Sequence, residues 1–154
     1  VLDGKLVRGG RGNALETGFV LAQKGTSVEK NIGKKGLISY LEKELEYSLF
    51  MKKGKFDIKK VIILAEKGDK SAQKFFKMMG EVLADALIAN ICILDISTVV
   101  IGGGIGKAFE WIEPSLNKKL AKNLPQYYLQ KLHISLATLG NNAGVIGAAS
   151  LCFD

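Results

Sequence analysis

Two glycine turns are the part of this sequence best suited to chemistry. One reads Val99-Val100-Ile101-Gly102-Gly103-Gly104-Ile105-Gly106, the other Leu139-Gly140-Asn141-Asn142-Ala143-Gly144-Val145-Ile146-Gly147-Ala148-Ala149. Each joins an apolar strand to a helix. A backbone without Cβ atoms can approach a nucleotide there, and a helix start favours its phosphates. The first turn lacks the dinucleotide-binding fingerprint, because Lys118 and Lys119 occupy the region where an acid is needed. It is not a phosphate-binding P-loop either, since Ala108 follows Lys107. Three successive glycines still exceed what a turn requires, which favours a flat ligand lying against the backbone. In the second turn Asn141 and Asn142 are available as cap and donors, while Gly144, Gly147 and Ala148 also suit close helix packing. Together the turns predict a nucleotide site at one end of a sheet, with Gly102, Gly103, Gly104, Ile105, Asn142 and Gly144 as its binding residues.

Other reactive side chains are few. Glu16 stands in a loop with four glycines, Gly9 to Gly18. The single His133, on an expected strand, reads as a structural histidine, and Trp111 as a packing residue. Cys92 and Cys152 sit in apolar sequence and read as buried, inert thiols of a cytoplasmic protein.

The elements that must position these groups follow from periodicity. An Asp3-Gly4 turn opens the chain and precedes a short strand, and Phe19 to Ala22 reads as another. Leu37, Ile38, Leu41, Leu45 and Leu49 recur at helical spacing from Gly36 to about Phe50. A shorter helix is expected from Asp57 to Glu66, with Asp57 as its cap and Gly68 beyond its end. The longest helix should run from Asp69 or Lys70 to about Ile93; it turns nearly all apolar after Leu83, so it should be surrounded by protein. Thr98 to Ile101 reads as a buried parallel strand, Lys107 to Asn123 as a helix, Leu132 to Thr138 as a strand and Asn142 to Leu151 as a closing helix. This order describes an α/β fold, a mixed sheet with helices packed on it.

With 154 residues and 47% hydrophobic content, the chain suits one domain with a real core. No run of eighteen apolar residues offers a membrane-spanning helix, and no membrane partner is expected. The chain starts at Val1 with no charged leader and cleavage site, so a cut or processed chain without a signal peptide is expected. Its net charge of +7 is spread over separate lysine groups between apolar positions, as on solvated helix faces.

These motifs resemble the ROK family (repressor, open reading frame, kinase), whose sugar kinases belong to the actin-like ATPase superfamily. The likeness runs through Asp3-Gly4-Lys5-Leu6-Val7-Arg8-Gly9, Ala14-Leu15-Glu16-Thr17-Gly18-Phe19, Ala65-Glu66-Lys67-Gly68-Asp69 with Ala72, and both glycine turns. It covers the whole chain and implies that residues 1–154 form the C-terminal lobe of a two-lobe protein, with a ribonuclease H-like fold. It further implies ATP with Mg²⁺ as cofactor, a sugar as substrate held in part by Glu16, the N-terminal lobe and a second copy as partners, and no catalytic residue within this chain. An alternative is the effector lobe of a sugar-responsive repressor, which contacts nucleic acid only through a helix-turn-helix upstream, or a non-catalytic structural lobe. The departures are specific. The family's sugar- and zinc-binding histidine is replaced by Phe19, and its Cys-x-Cys-Gly-x-x-Gly-Cys-x-Glu loop reads Lys30-Asn31-Ile32-Gly33-Lys34-Lys35-Gly36-Leu37-Ile38-Ser39, with no cysteine and no glutamate. No zinc is therefore expected.

Overall fold

The computed structural model describes residues 1–2, 4–22 and 25–152, with Asn141 described by its backbone alone. The amino-terminal part is mostly turns. Leu2 and Lys5 exchange two backbone hydrogen bonds of 2.9 Å across the expected turn, whose Asp3 lies outside the described residues. The strand expected after that turn does not form. Nor does the one from Phe19 to Ala22: a 3₁₀ turn, Thr17–Phe19, leads into a single bridge between Leu21 and Ser27. Phe19 and Leu21 stay exposed, and no neighbouring strand among the described residues supplies the ladder that such a segment needs.

The helical body follows. Helix α1 (Val28–Ile32) is capped by the Ser27 hydroxyl, which accepts from the Lys30 amide. Helix α2 (Lys34–Glu44) follows it, and α3 (Tyr47–Phe50) comes after a break. The sequence suggested one helix from Gly36 to Phe50. Instead Leu45 is extended, and the break puts Phe50 fully inside while Leu49 is left 41% exposed. The larger ring wins the core position, and the Lys60 ammonium then satisfies the loose Ser48 and Met51 carbonyls at 3.1 and 2.6 Å.

A short hairpin, β1 (Met51–Lys52) and β2 (Lys55–Phe56), turns through Lys53 and Gly54, both at positive φ. Helix α4 (Ile58–Glu66) starts on Asp57 and ends before Gly68, whose φ is +87°, as its capping signals predicted. Helix α5 (Lys70–Leu94) is likewise capped by Asp69, whose carboxylate accepts from the Ala72 amide at 2.8 Å. Its buried stripe, including Phe75, Phe76, Met79 and Leu87, makes it the spine of the lobe. Rings of Tyr40, Phe75, Phe76 and Trp111 follow one another at 5.2 to 5.9 Å, tying α2 to α5 and on to α7 (Phe109–Asn123), so Trp111 does pack. Burial of Phe75 and Phe76, both fully covered, is worth about 1.5–3 kcal/mol each.

The far end of α5 corrects a sequence reading. Helix α5 outruns its neighbours there: Cys92 is exposed and Ile93 is 79% exposed, and Cys152 is exposed as well. Neither thiol is a core residue.

Strand β3 (Thr98–Ile101) pairs in parallel with β4 (His133–Leu136), the crossover being made by α6 (Gly103–Gly106), α7 and α8 (Gln126–Leu129). Only one face of this pair is covered. Val99, Ile101 and Ile134 pack inward, while Thr98, Val100, His133 and Ser135 face out, so β3 is not buried on both sides and His133 is an exposed side chain. Helix α9 (Ala143–Ser150) closes the described chain, starting one residue after the helix expected there.

Candidate functional site

Parallel pairing brings the ends of β3 and β4 to the same edge. Ile101 stands opposite Leu136, and the Ala137 amide donates to the Ile101 carbonyl at 2.9 Å, so both chains leave the sheet in register. Such carboxyl ends are where open α/β sheets receive ligands. The two glycine turns therefore meet. A Cβ built on Gly102 would lie 3.3 Å from the Ala137 methyl, and Gly102, Gly103, Ala137 and Gly140 line one cleft of about 180 Å³.

The bends are open backbone. Gly103 has φ +66° and Gly140 φ +52°, conformations that L side chains rarely adopt, and no heavy atom lies within 4 Å of where a Cβ would stand at Gly103, Gly104 or Gly140. On the other side of the same turn lies a larger cavity of about 410 Å³. Gly104 and Ile105 form one of its walls, Ile32, Leu37 and Met79 give it apolar surface, and Lys34, Lys59 and Asp57 stand around it. Lys107 lines both spaces. A lysine shared by two adjoining spaces offers a point charge of the kind that suits a phosphate.

The structure treats the sequence-predicted residues unequally. Gly102, Gly103, Gly104 and Ile105 lie together on these two adjoining spaces. Asn142 and Gly144 do not line them. They sit at the start of α9, where Asn142 makes no side-chain capping bond and Gly144 borders open space. The side chain of Asn141, expected as cap and donor, lies outside the described residues. Glu16 is exposed and lines neither space, although its loop is anchored: the Thr17 hydroxyl donates to the Leu15 carbonyl at 3.2 Å and accepts from the Asn90 amide at 3.0 Å. Leu15 holds φ +64° there, a costly conformation for a residue with a Cβ.

Three contributors had been missed. Gly140 was visible as part of the second turn, and Lys107 was weighed only as a P-loop lysine. Ala137 carried no signal of its own. Among the described residues no group of three or more His, Cys, Asp or Glu could hold a metal ion. At the loop where cysteines stand in the resembled family, Ile32 and Leu37 are each 7% exposed and belong to the apolar core. Those side chains offer a zinc ion no donor, so the residues present do not fit that metal.

A sequence profile of the ROK family matches residues 1–154. The glucokinase of Thermotoga maritima is 30% identical over 107 residues, which make up 70% of this chain and 34% of the glucokinase. A candidate sugar kinase from Cytophaga hutchinsonii superposes with a TM-score of 0.85 at 34% identity, over 98% of this chain and 52% of its own. A Streptomyces griseus ROK glucokinase solved with glucose and AMPPNP has a TM-score of 0.71 at 22% identity, over 96% and 54%. A ROK family transcriptional regulator, homologous to the E. coli MLC protein, has the same TM-score at 21% identity, over 88% and 37%. The fold is accordingly the actin-like ATPase, ribonuclease H-like architecture. The chain spans about a third to a half of the length of these proteins.

Proposed function

We propose that this chain, which belongs to the ROK family, is the C-terminal, nucleotide- and sugar-binding lobe of an ATP-dependent sugar kinase, inactive by itself. The observation that carries the reading is the meeting of the two glycine turns at the ends of β3 and β4, where Gly102, Gly103 and Gly140 open on one cleft. The apolar wall of Ile105, Ile32 and Met79 suits a purine, and Lys107 lies between that wall and the cleft. When bound, ATP with Mg²⁺ supplies the phosphoryl group; this chain's residues bind and orient it, which is where most of the rate in such transfers originates. The group that takes the proton from the sugar hydroxyl comes from the N-terminal lobe, and the active unit is a dimer in the cytoplasm. Calorimetric titration of the complete protein with AMPPNP and glucose tests the proposal. Saturable binding of both is the expected result, and binding of neither removes it.

Glu16 is the sugar contact in this reading. A carboxylate accepts two hydroxyl hydrogen bonds and so fixes a sugar's orientation. Glu16→Gln should raise the sugar dissociation or Michaelis constant about tenfold, roughly 1.4 kcal/mol, with the melting temperature unchanged. An unaltered constant would show that Glu16 is a solvated loop acid. No zinc belongs in this lobe, and elemental analysis of the purified protein should find well below one zinc per chain.

Phe19 and Ser39 support a second reading. Both stand where the resembled family has sugar-binding side chains, and both are exposed. A lobe so altered serves as the effector half of a repressor, or as a structural half, without turnover. The sequence upstream decides: an Asp-x-Gly-Gly-Thr loop belongs to a kinase, a helix-turn-helix to a repressor.

A further inference from the structure

On the α5–α7 side of the lobe, a cleft of about 340 Å³ shares no lining residue with the glycine turns. It exists because Gly80 lets the two helices nearly touch, so that side chains from both reach one space. Helix α7 contributes Ser115, Lys118, Lys119, Lys122 and Asn123 at steps of three, four, seven and eight, one continuous stripe. Helix α5 contributes Lys77 and Glu81 one turn apart. Every described residue lining this cleft is polar, and among them four lysines stand with one glutamate.

Among the described residues, the ion pairs do not take up all four lysines. Lys119 is held by Asp85 of α5 at 2.6 Å and is mostly covered, which fixes one ammonium near the helix contact. Lys77 lies 3.9 Å from Glu81, a loose pair. Lys118 and Lys122 are exposed, make no ion pair among the described residues, and stand four residues apart on the same helix, a like-charge spacing that costs helix stability. A multiply charged anion seated between them removes that repulsion.

We infer that this cleft binds the phosphate group of a small phosphorylated metabolite. Its volume falls within the range of small-ligand sites, about 300–1,000 Å³. Lysines present point charges suited to a phosphate dianion. Ser115, Asn123 and Glu81 are hydrogen-bonding groups of the kind that receive hydroxyls beside it. The same composition argues against a nucleic-acid backbone. A continuous row of phosphates running along the groove meets the Glu81 carboxylate, and the described lining holds no arginine and no aromatic ring on which a base could stack.

The test is heteronuclear NMR on the complete protein, with AMPPNP and glucose present in excess so that the glycine cleft is not the reporter. Inorganic phosphate and glucose 6-phosphate are titrated separately, following the amides of Ser115, Lys119 and Asn123. Saturable shifts at these amides are expected, weakened at least tenfold in Lys118→Ala/Lys122→Ala with the melting temperature unchanged or slightly raised, since both side chains are exposed and their mutual repulsion is removed. Equal affinity for the two probes assigns the site to free phosphate; tighter binding of glucose 6-phosphate assigns it to a sugar phosphate. Absence of shifts with both probes, shifts that the double variant leaves intact, or tighter capture of a random DNA oligonucleotide at these amides would overturn the inference. Because the readout lies on α7, at residues that line neither of the spaces beside the glycine turns, it stands or falls separately from the kinase reading.

Discussion

Gly103→Val in the complete protein should lose at least a hundredfold in affinity for AMPPNP while the lobe stays folded. Two effects meet at this position. Gly103 has φ +66°, and a β-branched residue held there carries a penalty of about 1–2 kcal/mol, so the turn either keeps its shape under strain or relaxes away from it. A Cβ at Gly103 would find no protein atom within 4 Å, so the valine methyls point into free space rather than into the core. That free space is where the proposed nucleotide lies. The stability loss is then confined to the turn's strain, whereas the ligand loses its approach to the backbone altogether. Calorimetry reads the affinity and thermal melting reads the fold. If the affinity is unchanged, the turn is merely a connection between β3 and α6, and the nucleotide assignment fails.

Gly80→Val should have the opposite profile, a large stability loss from a helix contact that lines neither space beside the glycine turns. A Cβ on Gly80 would overlap the Ser115 hydroxyl and stand 2.5 Å from the Ile112 carbonyl and 3.0 Å from the Leu116 amide. Two of these three obstacles are backbone of α7, which cannot rotate aside. Replacing a helical glycine normally gains up to about 1 kcal/mol of propensity, but overpacking at a fixed contact costs about 1–3 kcal/mol or more. The helices must move apart, and the separation also loosens Ile112 and Leu116, both fully buried. The net loss should be about 2–4 kcal/mol, seen as a lower denaturant midpoint. Gly80→Ala should fall between valine and wild type. A midpoint that does not move would show that α5 and α7 can slide apart freely.

The sequence carried the helical skeleton further than the strands. Asp57, Gly68 and Asp69 marked the ends of α4 and α5 because capping is local chemistry, settled within three or four residues. The break at Leu45 was hidden, since it depends on Phe50 outcompeting Leu49 for a place beside α4 and α5, which no periodicity encodes. Strand readings at Phe19 to Ala22 failed for a related reason: a strand exists only with a partner. The gathering of Gly102 to Ile105 around two adjoining spaces was legible because three successive glycines exceed what a strand-to-helix turn requires. The shared position of Lys107 was not, as it follows from how α1, α2 and α4 stand around the turn. Asn142 and Gly144 were picked by motif, yet whether they reach a ligand depends on where α9 lies.

Helix α9 is composed almost wholly of Ala, Gly, Val and Ile, its described side chains are exposed, and it meets the rest of the lobe chiefly through the 3₁₀ turn before it. A segment greasy on every side reaches a settled orientation only once something covers it. In the proposed nucleotide reading, a ligand that touched the second glycine turn only when α9 is covered would bind with an apparent dissociation constant equal to the intrinsic one divided by the population f of the covered state. In that reading, whatever encloses α9 would tighten binding by raising f, without itself touching the ligand.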